Sequence, residues 1–369
     1  MKIVIINSIL KTPEKNFIPE VKSIKDTLIY NFSMGFVNCG HDVTLISAED
    51  YSPRLKEEYP IKVIFLKSVL KFLFPPSLIP FHPYLFIYLL RNRNKTDIVI
   101  SSEAFSISTL IAALLIKKKL VIWQELKQHN RKFFRIPSLV WYNLVAQVFL
   151  RNIKTIPRSE RARSFIRTYI KNTGSETVTH GVDLDKFEFC PQKEDQFAVI
   201  AQLIKRKNIN IIFDNFEKFI QNKRYGHYKL LLTGTGPEKQ LLIDICKKKS
   251  ISSSVIFTDE KNHLQVVSIL NKSKGILISS ARENVMLIIP EAIACGTPIL
   301  TNSIPDNADI IIKNDLGIVK DNWGASDMEL IVKNNKKIIN NCKKYRNQLS
   351  FTSLARKFLK ISCSTAANK

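Results

Sequence analysis

The sequence predicts an α/β chain of two tandem Rossmann-like domains facing one another across a cleft. Three observations carry this. Short β-branched apolar runs recur along the 369 residues without the polar alternation of a half-exposed strand, so they read as strands buried on both faces, as in a parallel sheet. Runs with helical period lie between them, the βαβ order of a doubly wound sheet. The alternation breaks once, at "ETVTHGVDLDKFEFCPQKEDQ", which carries Gly181, Pro191 and mixed charge and reads as an interdomain linker.

In the first half, "KIVII", "HDVTLISA", "KVIFL", "DIVIS", "KLVIW" and "NIKTI" are strands. A helix is expected from Glu20 to Cys39, with Gly40 as its stop, and another over "FSISTLIAALLI". In the second half, "QFAVIAQL", "YKLLLTGTG", "SVIFTDE", "GILISSA" and "TPILTN" are strands, with helices over "INIIFDNFEKFIQN", "PEKQLLIDICKKK" and "IIPEAIACG". The C-terminal "MELIVKNNKKIINNCKKYRNQLSFTSLARKFLKIS" is basic and helical. The expected domains are 1–180, 181–345 and a basic helix, 346–369, that can cross back to the first.

Composition narrows the function. Lys plus Arg number 56 against 32 Asp plus Glu, a net +24. Such a surface favours polyanions: nucleic acid, anionic lipid or phosphorylated substrates. A lysine-, asparagine- and isoleucine-rich coding bias accounts for part of it. The cysteines, Cys39, Cys190, Cys246, Cys295, Cys342 and Cys363, have no metal or redox spacing. Dispersed thiols fit a reducing cytosol. No HxxxH pair occurs, and the "DLD" at Asp183–Asp185 reads as a chance DxD, so no metal site is expected. "MKIVIIN" enters a strand directly, without a signal peptide. The run Ala104–Ile116 is shorter than the ~20 residues that span a bilayer. The chain is therefore expected to be soluble or to rest on a surface.

Two carboxylates stand out in "SSARENVMLIIPEAIACGTPIL". Glu283 is expected just past a strand's carboxyl end. Glu291 follows on a helix and faces within ~80° of Glu283 if the intervening residues are helical. The backbone N–H groups of Asn284, Val285, Met286 and Leu287 suit a phosphate or sugar oxygen. The plainer alternative makes Glu283 a loop residue and Glu291 a helix-surface residue.

The second half resembles the C-terminal domain of glycosyltransferase family 4, which has the GT-B fold. "AQLIKRKN" is similar to the family's Gly-Arg-Leu…Lys-Gly segment, "LLLTGTGPEKQLL" to its Gly-x-Gly-Pro segment, and "VIFTDEKNHLQVVSILNKSKGILISS" to its next strand–helix–strand. "ENVMLIIPEAIACGTPIL" is similar to its two-glutamate motif followed by Ala-x-Gly-x-Pro, and "HGVDLDKF" to its Asn-Gly-Val-Asp…Phe. The match is good over roughly 178–320 and loose before it. The resemblance implies a retaining transfer of a sugar from a nucleotide-diphosphate donor to a glycan or lipid-linked acceptor of bacterial cell-surface polysaccharide. It implies Glu283 on the donor sugar's hydroxyls, Glu291 on the ribose, the amides of Asn284, Val285 and Met286 on sugar and phosphate, and Lys207 on the diphosphate. It implies no metal and no cofactor beyond the nucleotide sugar. Gly234 and Gly236 either let the backbone approach the nucleotide or merely turn tightly.

Four departures stand beside this. Gln202 replaces the family's arginine, leaving Arg206 or Lys205 as substitutes. Asn208 and Asn284 stand where glycines are usual, and the glycine pair after the first strand is absent. They keep a catalytically impaired GT-B-like partner subunit open as an alternative, with a basic nucleic-acid-binding protein as another. Nucleic acid is not the expected partner, because no zinc-finger or RRM signature is present.

The first half should carry the acceptor. Gln124 and Glu125 follow the strand "KLVIW", and Glu125 can orient or deprotonate a hydroxyl, or simply cap a helix. His129 reads as a surface residue. "LKSVLKFLFPPSLIPFHPYLFIYLLRNRNK" and "NRKFFRIPSLVWYNLV" mix aromatics, prolines and cations. They suit an anionic membrane surface, or ordinary core helices with basic flanks. The expected place is the cytoplasm, at the inner face of the cell membrane.

Overall fold

The computed structural model describes residues 1–11, 18–54, 57–130, 132–259 and 263–364. The chain divides into two compact units, Met1–Gly181 with Phe351–Lys369, and Val182–Ser350.

Unit 1 holds β1 (Lys2–Ile6), α1 (Leu28–Val37), β2 (Asp42–Ala48), β3 (Lys62–Leu66), α2 (Pro83–Asn92), β4 (Ile98–Ser102), α3 (Ile107–Ile116), β5 (Leu120–Gln124), α4 (Ile136–Val140), a π-helical run Trp141–Leu150, β6 (Lys154–Pro157) and α5 (Glu160–Arg167). All strand pairs are parallel, in the order β3-β2-β1-β4-β5-β6. That is the doubly wound order, which needs helices on both faces. One face packs Phe32 and Phe36 of α1 and Phe358 of the C-terminal helix against Ile3, Ile5 and Trp123. Phe32 stacks on Trp123 at 4.1 Å. The other face packs Leu85, Leu89, Ile111, Tyr142 and Ala146 against Val4, Val99 and Ile122.

Helix α1 starts eight residues later than the Glu20 predicted. Ser23 caps a separate 3₁₀ turn, Ile24–Asp26, and Thr27 then accepts from the Tyr30 N–H as the N-cap of α1. Two side-chain caps in a row end one helical turn and begin another. The stop at Gly40 has φ +81°.

Unit 2 holds β7 (Glu194–Ile200), α6 (Ile209–Gln221), β8 (Lys229–Thr233), α7 (Lys239–Lys248), β9 (Val255–Thr258), α8 (His263–Lys272), β10 (Ser273–Leu277), α9 (Ile288–Ala294), β11 (Ile299–Thr301), α10 (Ala308–Asn314), β12 (Gly317–Val319), α11 (Ala325–Lys333) and α12 (Asn335–Tyr345). Its parallel order is β12-β11-β10-β7-β8-β9, the same winding. β12 has three residues, too short to read as an apolar run. The last helix, α13 (Phe351–Cys363), belongs to unit 1 and packs on α1.

Beyond β7 and β8 the backbone pairing continues. Ala201 N–H donates to Thr233 C=O at 3.0 Å and Leu203 N–H to Thr235 C=O at 2.8 Å. Gly234 (φ +141°) and Gly236 (φ +156°) face this segment, and added Cβ atoms would stand 2.0 Å from the Ala201 oxygen and 2.2 Å from the Leu203 oxygen. Both glycines therefore serve backbone-to-backbone packing. Gly234→Ala is expected to destabilise unit 2 by about 3 kcal/mol, from steric clash plus a disfavoured φ. A urea titration of the full chain should show its unit-2 transition at lower denaturant, and an unchanged midpoint would contradict this packing.

Candidate functional site

In unit 2, the loop between β7 and α6 meets the loop between β10 and α9. Lys207 Nζ lies 2.6 Å and Arg206 Nη1 2.7 Å from the same Glu283 carboxylate oxygen. The backbones are tied as well. Ala281 N–H donates to Arg206 C=O at 2.8 Å, and the Ser279 hydroxyl lies 3.1 and 2.8 Å from the carbonyls of Lys207 and Asn208. Arg206 Nη1 also donates to Arg282 C=O at 3.0 Å. The turn that aims Lys207 needs a left-handed residue at its end. Asn208 supplies it (φ +49°, ψ +42°), a conformation asparagine tolerates better than most residues. Asn284 is not among the positive-φ residues, so its site does not demand glycine.

Burial pushes the Glu283 carboxyl up, but the Lys207 ammonium and Arg206 guanidinium outweigh it and hold the group below the ordinary glutamate range. Glu291 has no such help. It is half-buried in α9, its carboxyl makes no hydrogen bond or ion pair among the described residues, and burial pushes that carboxyl up to about 7. The two glutamates are not related by a continuous helix as the spacing suggested. α9 begins only at Ile288, so the ~80° estimate does not apply. Glu283 lies in the loop six residues beyond the end of β10, not at the strand's edge.

Of the four amides expected to face a ligand, the N–H groups of Asn284, Val285 and Leu287 make no hydrogen bond among the described residues. The fourth, Met286, is corrected. Its N–H donates to Asn307 Oδ1 at 3.0 Å while Asn307 Nδ2 donates to Met286 C=O at 2.9 Å, and its side chain is buried. Asn307 thus clamps the loop, and Asp306 N–H donates to Asn284 C=O at 3.1 Å. α9 is anchored from its far end. Lys193 Nζ donates to the carbonyls of Leu270 and Cys295 and to the Thr297 hydroxyl, and Arg346 donates to the carbonyls of Ala294 and Phe187. Cations at a helix C-terminus satisfy its last carbonyls and suit its dipole.

Gln202 is exposed, so the cation beside Lys207 is Arg206. The Gly234 and Gly236 Cβ positions face the chain's own backbone. Asp183 forms a local turn, its Oδ1 accepting from the Asp185 N–H. Among the described residues no group of three or more His, Cys, Asp or Glu side chains could hold a metal ion.

Unit 1 carries a second charged cluster at the carboxyl ends of β4, β5 and β6. Arg158 Nη1 lies 2.7 Å from Glu125 Oε2 and 3.3 Å from His180 Nε2, and its guanidinium stacks 3.7 Å over the Trp123 ring. Glu103, which the sequence reading missed, has a left-handed backbone (φ +68°). Its carboxylate accepts the N–H groups of Glu125 at 2.7 Å and Leu126 at 3.1 Å. Burial acts upward on both acids. Arg158 and His180 reverse it at Glu125, holding that carboxyl down to about 2, while Glu103 stays pushed up to about 7. Arg158 and His180 thus hold Glu125 in its ionised form, paired within the cluster. Gln124 is fully buried, its Oε1 accepting from the Ala104 N–H. His129 is no plain surface residue: it bonds Ser138 and Tyr169 and packs against Tyr142 and Phe165.

Residues 183–351 match the family model described as "Glycosyl transferases group 1". N-acetyl-alpha-D-glucosaminyl L-malate synthase of Bacillus anthracis is 28% identical over 134 residues, 36% of this chain and 34% of that protein. Glycogen synthase of Mycobacterium tuberculosis is 26% identical over 89 residues, 24% of this chain and 22% of that one. The chain thus spans about a third of the length of one of these curated relatives and less of the other. A Rickettsia africae glycosyltransferase superposes with a TM-score of 0.71 at 13% identity, covering 100% of this chain and 99% of that one. Anabaena Alr3699/HepE, solved in complex with UDP, gives 0.70 at 13%, covering 99% and 100%.

The unpaired carboxyl has a measurable consequence. Folding raises the Glu291 pKa from 4.5 to about 7. The folded chain therefore binds more protons than the unfolded chain between those values, and this group's contribution to stability falls as pH rises through that window. Glu291→Gln is expected to leave Tm unchanged near pH 4.5 and to raise it by a few degrees at pH 8. A Tm at pH 8 equal to or below wild type would contradict the burial argument. Residues 183–351 thus match the glycosyltransferase group 1 model, in a chain that has the two-Rossmann α/β fold of the solved structures it superposes on.

Proposed function

We propose that the chain is a retaining glycosyltransferase that moves a sugar from a nucleotide-diphosphate donor to a glycan or lipid-linked acceptor in bacterial cell-surface polysaccharide synthesis. The observation that carries the reading is the convergence of Lys207 and Arg206 on Glu283 within the matched domain. Two cations fixed before the ligand arrives offset the negative charge that builds on a departing diphosphate. Glu283, kept ionised by them, accepts hydrogen bonds from the donor sugar's hydroxyls. The free amides of Asn284, Val285 and Leu287 receive sugar or phosphate oxygens, and Glu291 receives the ribose hydroxyls. Lys207 and Arg206 fill the role a metal would otherwise play, so the reading assigns none. Arg206 standing beside Lys207 favours this over the impaired-partner alternative.

A uridine donor is the form the reading takes first, because the Anabaena neighbour was solved with UDP. A thermal scan is expected to show Tm rising by several degrees with 1 mM UDP or a UDP-sugar, as for any ligand selective for the native state. Lys207→Met is expected to weaken that binding about 100-fold, in line with the ~3 kcal/mol a buried charge contact carries. No shift with UDP-, GDP-, ADP- or CMP-sugars would sink the reading, and so would an unaffected Lys207→Met.

The acceptor side of the proposal includes an anionic membrane surface at the inner face of the cell membrane. α2 packs on α3, and α3 on the π-helical run. Outward they expose Tyr84, Ile87, Leu90, Leu114, Leu144 and Val148. Phe72, in the turn before α2, is 96% exposed. Residues 66–95, 105–120 and 126–159 contain five, three and seven cations and no carboxylate. Exposed apolar side chains in segments that carry cations and no carboxylate suit the interface of an anionic bilayer. Among the described residues no helix is long and apolar enough to cross a membrane. Co-sedimentation with phosphatidylglycerol vesicles at low salt is expected, with loss at 0.5 M salt and at least tenfold weakening in Phe72→Ser/Leu73→Ser. Equal binding to phosphatidylcholine vesicles would refute the charge argument.

A further inference from the structure

We propose that Glu103, Glu125, Arg158 and His180 form the acceptor subsite of unit 1, and that Glu103 makes it selective for a neutral hydroxyl over a carboxylated one. This deepens the glycosyltransferase reading and rests on it.

The cluster sits at the carboxyl ends of three adjacent parallel strands, β4, β5 and β6, where open α/β sheets bind ligands. Its cations are closed and its acids are open. Arg158 and His180 are each 6% exposed, whereas the Glu125 side chain keeps 30% of its surface and Glu103 is half-buried. An incoming group therefore meets the two glutamates before either cation. The one buried arginine is already spent on Glu125 at 2.7 Å and on the Trp123 face. Its charge is cancelled, and Glu103 holds no direct ion pair. Among the described residues of the cluster a second anion would find no unpaired cation, the Glu125 charge, and a second like charge at Glu103 once that carboxyl ionises. A hydroxyl would find acceptors to donate to.

Two further observations separate this from a merely structural network. Arg158 Nε and His180 Nδ1 are buried without any hydrogen-bond partner among the described residues, although buried polar groups are almost always satisfied. A network satisfied for structure alone would not leave two such atoms unpaired. Glu103 also holds a left-handed backbone that a non-glycine residue rarely adopts. Strain of this kind persists where the surroundings over-determine it, and it clusters at ligand sites. Here the surroundings are explicit: the Glu103 N–H donates to Trp123 C=O, its C=O accepts from the Thr109 hydroxyl, and its carboxylate receives the two N–H groups at the end of β5.

The test follows nucleotide release by the full chain from UDP-glucose and GDP-mannose at pH 8, where Glu103 is ionised, first with water alone. Octyl β-D-glucoside, octyl β-D-galactoside or octyl β-D-glucuronide is then added. At least one neutral glycoside is expected to raise release tenfold or more over water, and the glucuronide less than twofold. Glu103→Gln, with UDP affinity unchanged, is expected to narrow the neutral-to-glucuronide ratio about tenfold. Equal stimulation by the glucuronide in the wild type would overturn the proposal without any variant. So would an unchanged ratio in a folded Glu103→Gln, or no stimulation by any neutral glycoside. If UDP still stabilises the chain in those cases, only the acceptor subsite falls. If UDP does not bind either, the glycosyltransferase reading falls with it.

Discussion

Much of unit 2 depends on one ion cluster. Glu283 has no helix or strand of its own to hold it. What positions it is Lys207 and Arg206, from a different loop, converging on one carboxylate oxygen. Each partner is in turn held: Lys207 by the left-handed Asn208 and the Ser279 hydroxyl, Glu283 by a loop that Asn307 clamps through both backbone atoms of Met286. Glu283 and Lys207 are largely buried, where an ion pair contributes more than on the surface but leaves a costly lone charge if one side is removed. The two loops are also tied without the ions, by Ala281 N–H to Arg206 C=O and by the Ser279 hydroxyl to the carbonyls of Lys207 and Asn208, so the cations keep their place when the Glu283 charge is removed.

The two units repeat a pattern. Each places a pair of carboxyl groups beyond the ends of its strands, and each gives cations to only one of the pair. In unit 2 Glu283 takes Lys207 and Arg206, and Glu291 takes none. In unit 1 Glu125 takes Arg158, and Glu103 takes backbone amides instead. The paired acid is held below its ordinary range and the other is pushed up to about 7. Environments that split two like groups in this way give them different chemistry near neutral pH. They also cost stability, because a half-buried carboxylate without a counter-charge favours the unfolded chain once ionised. Functional sites commonly carry that cost.

The strands of both sheets, β12 apart, were legible because parallel strands buried on both faces leave continuous β-branched runs. What stayed hidden was local or long-range. The late start of α1 was set by two side-chain caps, Ser23 and Thr27, inside a run whose period alone reads as one helix. Lys207, Glu283 and Glu291 were legible through an ordered set of motifs. Glu103 and Arg158 were not, since each is a single charged residue just past a strand. Their meeting with Glu125 and His180 depends on strand order and on a segment more than twenty residues away. The Met286 amide was misassigned for a similar reason: its partner, Asn307, lies across the next strand, and spacing cannot show that.

The central claim is that Glu283 reads the donor's sugar while Lys207 and Arg206 read its diphosphate. Calorimetric titration of Glu283→Gln with UDP and with the matching UDP-sugar tests it directly. The account predicts that UDP affinity changes by less than about threefold while the UDP-sugar loses at least tenfold. An equal loss for both ligands would contradict it, since it would make Glu283 no more than a brace for the two cations.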